Sequence, residues 1–289
     1  MSRLREELLR IELAGADCAE LVSHGLDVAI GGKVMAGRAK TVMEIMSGFD
    51  LRYTLHLPYE MNLLEPGAEA VNEAVFVSGL EFAKMAGIDL IVYHAGVVET
   101  RNGRAGPTAP TDELFEREAR LMRRLAGTAE DVLICMENGP FYGNDVYSSG
   151  IDAESMVRFC EAVGMPNFKL TFDVGHYFLR AKGDADELLR AVATVLPRLG
   201  HLHLHDNCGI PLPMENRDYN HRLACGAADL HLPLGWGRIP ARDVLAALSG
   251  YEGTIILEIE KRFEDRYAPS LELARGWLGE RDAARSGIR

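Results

Sequence analysis

Seven runs of strand-forming residues in this 289-residue chain end on a histidine, aspartate or glutamate. They are YTLHLP with His56, LIVYHAG with His94, VLICMEN with Glu137, KLTFDVGH with Asp173 and His176, HLHLHD with His203 and its neighbours, DLHLP with Asp229 and His231, and TIILEIE with Glu258. Imidazoles and carboxylates are the side chains that ligate divalent cations and carry protons near neutral pH. A carboxylate left unpaired at the end of an apolar strand is strongly destabilising, and a divalent cation shared by Glu137 and Glu258 removes that penalty. Two Glu, two Asp and several His form a mixed nitrogen and oxygen donor set. Such a set suits Zn, Mn or Co, and Mg less where imidazole contributes.

Individual motifs sharpen this reading. Phe172-Asp173-Val174-Gly175-His176 offers two donors from one segment: Asp173 ends a strand, Gly175 lets the chain turn sharply, and His176 returns over the same opening. In the next run, residues 201, 203 and 205 share one strand face, and Leu202 and Leu204 share the other. Three imidazoles each bring a donor and an acceptor, so some of them must meet metal, substrate or water. His203 is the expected one, with Asp206 supporting it or capping a helix. His56 and His94 sit at equivalent ends of adjacent units. Asp229 and His231 form a D-x-H pair ahead of PLGWG, whose two glycines would let the backbone pass close to a ligand. Glu260 shares the parity of Glu258, but Glu258 follows directly on Ile255, Ile256 and Leu257, and Glu260 has Lys261 or Arg262 as a salt-bridge partner.

The elements that must position these residues follow from their spacing. From His56 through His94, Glu137 and Asp173 to His203 the gaps are each about 30 to 45 residues, the length of one βα unit. Strands are expected at Leu8 to Leu13, Leu26 to Ile30, Arg52 to Leu57, Asp89 to His94, Val132 to Glu137, Lys169 to Asp173, Gly200 to His205 and Thr254 to Ile259. Helices are expected at Gly37 to Ser47, Gly67 to Ala86, Thr111 to Glu130, Asp152 to Val163, Asp184 to Leu196, Pro240 to Leu248 and Ser270 to Leu278. The first strand is ambiguous, because RIELAGADCAELV also reads as one amphipathic helix. Repeated strand and helix imply right-handed parallel crossovers, and eight such units close into a barrel. The predicted fold class is therefore α/β, a (β/α)8 TIM barrel forming a single domain over 1–289. An open doubly wound sheet is the alternative, weakened because Gly31-Gly32-Lys33 is no phosphate-binding turn. Two connections exceed the usual length, Gly96 to Pro110 and the stretch 207–240. Both follow strands and are expected to cover the mouth as lid or substrate loops, the second carrying Trp236 as a substrate contact.

Bulk properties limit the partners. The net charge of −12 disfavours nucleic acid, since its binders neutralise phosphates with Lys and Arg. The basic run REARLMRR at Arg117 to Arg124 reads as a solvated helix face. No apolar run is long enough to span a bilayer, and the start MSRLREELLRIELAG has no signal-peptide core, so a cytoplasmic protein without membrane partners is expected. Five cysteines without a C-x-x-C pair point to free thiols, with Cys135 a small buried hydrophobe. The expected partner is a small molecule, sugar-like or phosphorylated, and a homo-oligomer is left open.

With these motifs the chain resembles the xylose-isomerase-like barrel superfamily, from about Leu26 to Ile259. That superfamily contains sugar isomerases and epimerases and also the endonuclease IV type of repair enzyme. In the isomerase branch the resemblance implies one divalent metal held by Glu137, Asp173, His203 and Glu258, with His176 on a substrate oxygen and Glu137 and Glu258 moving a carbon-bound proton. His56 and His94 would then also grip substrate. In the endonuclease branch it implies a multinuclear site that adds His56, His94, His176, Asp229 and His231 to the ligands. Trp236 stands where that branch places an acidic residue, and the acidic chain lacks basic groove-inserting loops. The expected activity is thus a metal-dependent sugar or sugar-phosphate isomerase or epimerase; the alternative is a multinuclear metallohydrolase acting on a small phosphorylated substrate rather than duplex DNA.

Overall fold

The computed structural model describes residues 2–99, 111–140, 146–212 and 218–286. The chain opens with α1 (Ser2–Leu13), on which Leu4, Leu8 and Ile11 recur at helical spacing and face the core. This corrects the strand expected at Leu8 to Leu13: a short I-E-L alternation loses to the longer helical period. The helix ends before Gly15, at φ +87°, and the first wall strand is β1 (Cys18–Val22). The ambiguous segment therefore splits into helix then strand, the reverse of the expected order. Leu26 to Ile30 also fails as a wall strand. β2 (Ala29–Ile30) and β3 (Lys33–Val34) instead form a tight antiparallel hairpin, reversed at Gly31 and Gly32, both with positive φ.

The remaining order is α2 (Ala36–Met46), β4 (Arg52–His56), α3 (Glu69–Ala86), β5 (Leu90–His94), β6 (Val97–Glu99), α4 (Thr111–Gly127), β7 (Leu133–Glu137), β8 (Val146–Ser148) and α5 (Ala153–Val163). It continues with β9 (Phe168–Asp173), α6 (Val174–Arg180), α7 (Ala185–Val195), β10 (Leu199–Leu204), α8 (Tyr219–Cys225), α9 (Ala241–Ala247), β11 (Thr254–Leu257) and α10 (Tyr267–Ser286). Start signals work as anticipated where Asp152 and Asp184 accept hydrogen bonds from Ser155 N and Glu187 N. α6 and α8 were not anticipated; both are seven residues long, α6 buried from Val174 to Leu179 and α8 on the surface.

Seven parallel strands make the wall, in the order β1-β4-β5-β7-β9-β10-β11, with β1 lying beside β11 to bring the sheet nearly to closure. The architecture is the expected α/β TIM barrel, with seven wall strands where eight were expected. DLHLP contributes only a single antiparallel bridge between Asp206 and Leu232. Leu202 and Leu204 face outward into the helix-packed core, while Leu90, Val92 and Cys135 form a separate buried layer. Burial pushes the Cys135 thiol up, as befits an inert filler. The helix carrying REARLMRR is more than a solvated face: Arg124 reaches Glu73 on α3, Arg123 donates to Val163 O at the end of α5, and Glu118 is fully buried. No helix among the described residues is long and apolar enough to cross a membrane. Most of the predicted lid at Gly96 to Pro110 lies outside the described residues, as do 213–217 of the second long connection.

Three local contacts shape the mouth. Glu118 Oε1 accepts from Gly96 N at 2.8 Å and its Oε2 from Ser149 Oγ at 2.7 Å, tying the ribbon of β6 and β8 to α4. Asp206 accepts from the backbone N–H of Asn207, Gly235 and Ile239, so one carboxylate holds the PLGWG segment down. Gly237 makes that fit possible, because an added Cβ would lie 2.3 Å from Asn207 O. Its close approach is to the protein's own chain rather than to a ligand. Gly175 is likewise a packing glycine inside α6, not a turn, since a Cβ there would meet the His205 ring at 2.0 Å.

Two outcomes follow from this packing. Gly175→Ala is expected to cost about 1–3 kcal/mol through overpacking, read as a lower urea midpoint with an unchanged slope. Burial raises the Glu118 carboxyl despite its hydrogen bonds to Ser149 and Gly96. A raised carboxyl keeps its proton longer in the folded state, so its contribution is present below the ordinary Glu range and lost as pH rises through the folded value. Glu118→Gln should therefore match the wild type near pH 4 and exceed its stability at pH 8, in urea titrations at both values. A constant difference between the two would contradict this.

Candidate metal centre at the barrel mouth

Strand register brings the polar ends to one level. His94 pairs with Glu137 across β5 and β7, and Asp173 pairs with His203 across β9 and β10. Glu137, only 1% exposed, lies at the centre. Its Oε2 meets His56 Nε2 at 2.9 Å and His94 Nε2 at 3.2 Å. Its Oε1 meets His203 Nδ1 at 3.1 Å and His176 Nδ1 at 3.5 Å. His203 Nδ1 in turn lies 3.3 Å from Glu258 Oε1 and 3.9 Å from Asp173 Oδ2.

A second group adjoins the first. Asp229 Oδ2 lies 2.8 Å from His231 Nε2 and 3.2 Å from His176 Nε2. His205 Nε2 is 3.3 Å from Asp173 Oδ1 and 3.6 Å from Asp229 Oδ1, and its ring stacks on His231 at 3.9 Å. His231 takes φ +47°, an uncommon backbone state for a non-glycine residue. There its Nδ1 meets Glu258 O at 2.8 Å while Nε2 is directed at Asp229.

Backbone carbonyls orient the outer faces of the rings: Leu57 O for His56, Tyr59 O for His94 and Asn138 O for His176. Such partners select the ring nitrogen left for a cation. Asn138 also clamps the end of β9, accepting from Asp173 N and donating to Asp173 O.

The electrostatics are those of carboxylates and imidazoles stabilising one another out of water. Burial opposes ionisation of Glu137, but the His203 and His94 imidazoles outweigh it and hold the carboxyl well below its usual range. Burial is likewise outweighed at Asp173, by His176 and His205, and at Asp229, by His231 and His176. Conversely, burial would neutralise His203 and His176, but the carboxylates of Glu258 and Glu20 around the first and of Asp173 and Asp229 around the second keep both well above the ordinary imidazole value.

Among the described residues four sets of donor atoms lie close enough to hold a cation, each set within 4.8 Å. They are His56, His94 and Glu137; Glu137, Asp173, His203 and Glu258; His176, His205, Asp229 and His231; and Glu20, His56, His203 and Glu258. The nine predicted donors are thus brought together. Trp236 is not among them: it is 52% exposed, with its ring against Phe263 and under Arg266.

One member of the site went unread in the sequence, and another was weighed but not chosen. Glu20, on β1, was lost with the misassigned first strand, although the alternation in CAELV carried the signal. His205 shares the face of His203 but was passed over for it. His201, the third of that face, sits lower and contacts Glu20 Oε2 at 3.0 Å. Burial lowers its basicity, so it reads as a neutral partner of Glu20.

Comparisons with known proteins agree with this fold. An L-ribulose 3-epimerase structure superposes with a TM-score of 0.69 at 16% identity, over 100% of this chain and 93% of that one. D-psicose 3-epimerase from Clostridium cellulolyticum, solved with D-tagatose, gives 0.67 at 19% identity over 95% and 93%. A protein of Thermus thermophilus soaked with ZnCl2 gives 0.64 at 23% identity over 96% and 95%. An uncharacterized protein of Methanocaldococcus jannaschii is 24% identical over 230 residues, covering 76% of this chain and 68% of its own length. Residues 8–280 match the family described as a xylose isomerase-like TIM barrel, and the chain belongs to that family.

Proposed function

We propose that the protein is a divalent-metal-dependent isomerase or epimerase of a sugar or sugar phosphate. The observation that carries this reading is the convergence of Glu137, Asp173, His203 and Glu258 on one small volume at the barrel mouth. A cation fits there on physical grounds: among the described residues, Asp173 Oδ2 is a buried acceptor that makes no hydrogen bond. Mixed imidazole and carboxylate donors favour Zn, Mn or Co over Mg. Epimerases of ketose sugars among the structural relatives support a small sugar substrate.

A bound divalent cation supplies Lewis acidity, polarising a carbonyl and its neighbouring hydroxyl. The protein's own groups divide the remaining work by exposure. Glu137 is 1% exposed and has imidazoles at both oxygens, so it anchors the site. Glu258 is 17% exposed, and its Oε2 lies no closer than 3.8 Å to His231 Nδ1, so it can take a carbon-bound proton there. In an isomerase Glu258, after exchanging its proton with solvent, returns one to the neighbouring carbon. Inversion at carbon needs delivery from the other face, where Glu137 is the second carboxylate of the set. His176, His56 and His94 present ring edges around this volume and orient substrate oxygens. The 207–240 connection, pinned by Asp206, serves as the substrate loop, with Trp236 on its outer part.

A second reading rests on the further donor sets, His56, His94 and Glu137 and His176, His205, Asp229 and His231. If each holds its own cation, the protein is a multinuclear hydrolase of a small phosphorylated substrate. Metal analysis of purified, metal-replete protein separates the two. One equivalent per chain is expected for the isomerase, and two or three would overturn the one-metal version.

The proton step has its own measurement. In D2O the wild type should incorporate deuterium from solvent into a ketose or aldose substrate, and Glu258→Gln should slow this by about 10²-fold or more. Exchange at the wild-type rate in that variant would remove Glu258 from the proposed chemistry.

A further inference from the structure

We infer that Glu20 is a positioning residue for His203, fixing which imidazole nitrogen faces a bound cation. This rests on the metal-binding part of the reading above, not on the sugar chemistry. Glu20 projects from the middle of β1, the strand that closes the wall, and its side chain is 5% exposed. Its Oε2 accepts from Thr54 Oγ1 at 2.8 Å and meets His201 Nε2 at 3.0 Å. Thr54 is its register partner on β4, so the strand pairing itself holds the carboxylate in place.

The other oxygen points the opposite way. Oε1 lies 2.9 Å from His203 Nε2, while His203 Nδ1 faces Glu137 Oε1 at 3.1 Å and Glu258 Oε1 at 3.3 Å. Among the described residues Oε1 and Nε2 have no other hydrogen-bond partner. The carboxylate faces Nε2, so in the neutral ring that would ligate a cation it favours the proton on Nε2 and leaves the Nδ1 lone pair toward the donor set. A carboxylate behind a ligating imidazole orients the ring and raises its basicity as a ligand, and losing one usually weakens metal affinity by about 10–100-fold. A purely structural role would explain Oε2, which Thr54 and His201 satisfy, but not the placement of Oε1.

The test is Zn affinity, measured by competition with a chromophoric chelator on the full chain. Glu20→Ala is expected to weaken binding by about 10–100-fold, and Glu20→Gln, which keeps an acceptor without its charge, to fall between. Thr54→Val keeps the carboxylate and should lose only a small fraction of that. In 15N-imidazole spectra of the Zn-loaded protein, the His203 Nε2–H signal should be sharp in the wild type and in Thr54→Val, and shifted or exchange-broadened in Glu20→Gln. If Glu20→Ala does not fold, the near-isosteric Glu20→Gln carries both readouts. Wild-type affinity together with an unchanged His203 signal in Glu20→Gln would overturn the inference alone. Loss of one whole equivalent with unchanged affinity of the rest would also overturn it, by making Glu20 a direct ligand. Absence of Zn binding by the wild type would overturn this inference and the metal-binding reading together.

Discussion

Everything at the barrel mouth depends on keeping Glu137 ionised out of water. A carboxylate at 1% exposure is tolerable only if positive charge or donors surround it. Four imidazoles do so, from four different segments: His56, His94, His176 and His203. Two of those imidazoles have further carboxylates of their own, Asp173 and Asp229 at His176 and Glu20 and Glu258 at His203, while His56 and His94 turn their other nitrogens to backbone carbonyls. The result is a connected network of buried carboxylates and imidazoles centred on Glu137. In the proposed metal-dependent reading, a divalent cation would take the place of several imidazolium protons with one compact charge.

The barrel makes this arrangement tolerable by spreading it across strands. Parallel strands all point their carboxyl-terminal ends the same way, so polar residues from several strands converge at one mouth, β10 alone burying both His201 and His203. Below that layer Leu90, Val92 and Cys135 keep the interior dry. A dry floor strengthens every charge interaction above it. Exposure then grades the site, from Asp173 and His203 at 0% to Glu258 at 17% and His231 at 28%. That gradient separates groups held inside from groups within reach of solvent.

Legibility in the sequence followed the length of the local signal. Asp152 and Asp184 announced α5 and α7, because a cap is a local hydrogen bond between residues three apart. His56, His94, Glu137, Asp173 and Glu258 were legible because each closes an apolar run. RIELAGADCAELV was not, since the last turn of a helix and a five-residue strand follow one another there with overlapping periods. That single ambiguity hid the first strand and, with it, Glu20. Leu26 to Ile30 misled in the same way: its apolar residues serve a hairpin whose reversal depends on two glycines.

By itself, then, the sequence determined the donor types, the repeat of βα units and the polar end of each strand, because these are properties of residues near one another in the chain. Only the tertiary structure decided which donors share a cation-sized volume, that Glu137 is the centre while Glu258 is the reachable carboxylate, and that Glu20 and His205 belong with them. Gly175 and Gly237 make the same point, since both read as freedom for a turn or a ligand and both turned out to admit a neighbouring part of the fold. The physical reason is common to all of these. Charge pairing and close packing act through space over a few ångströms, between strands whose relative stagger no single segment encodes.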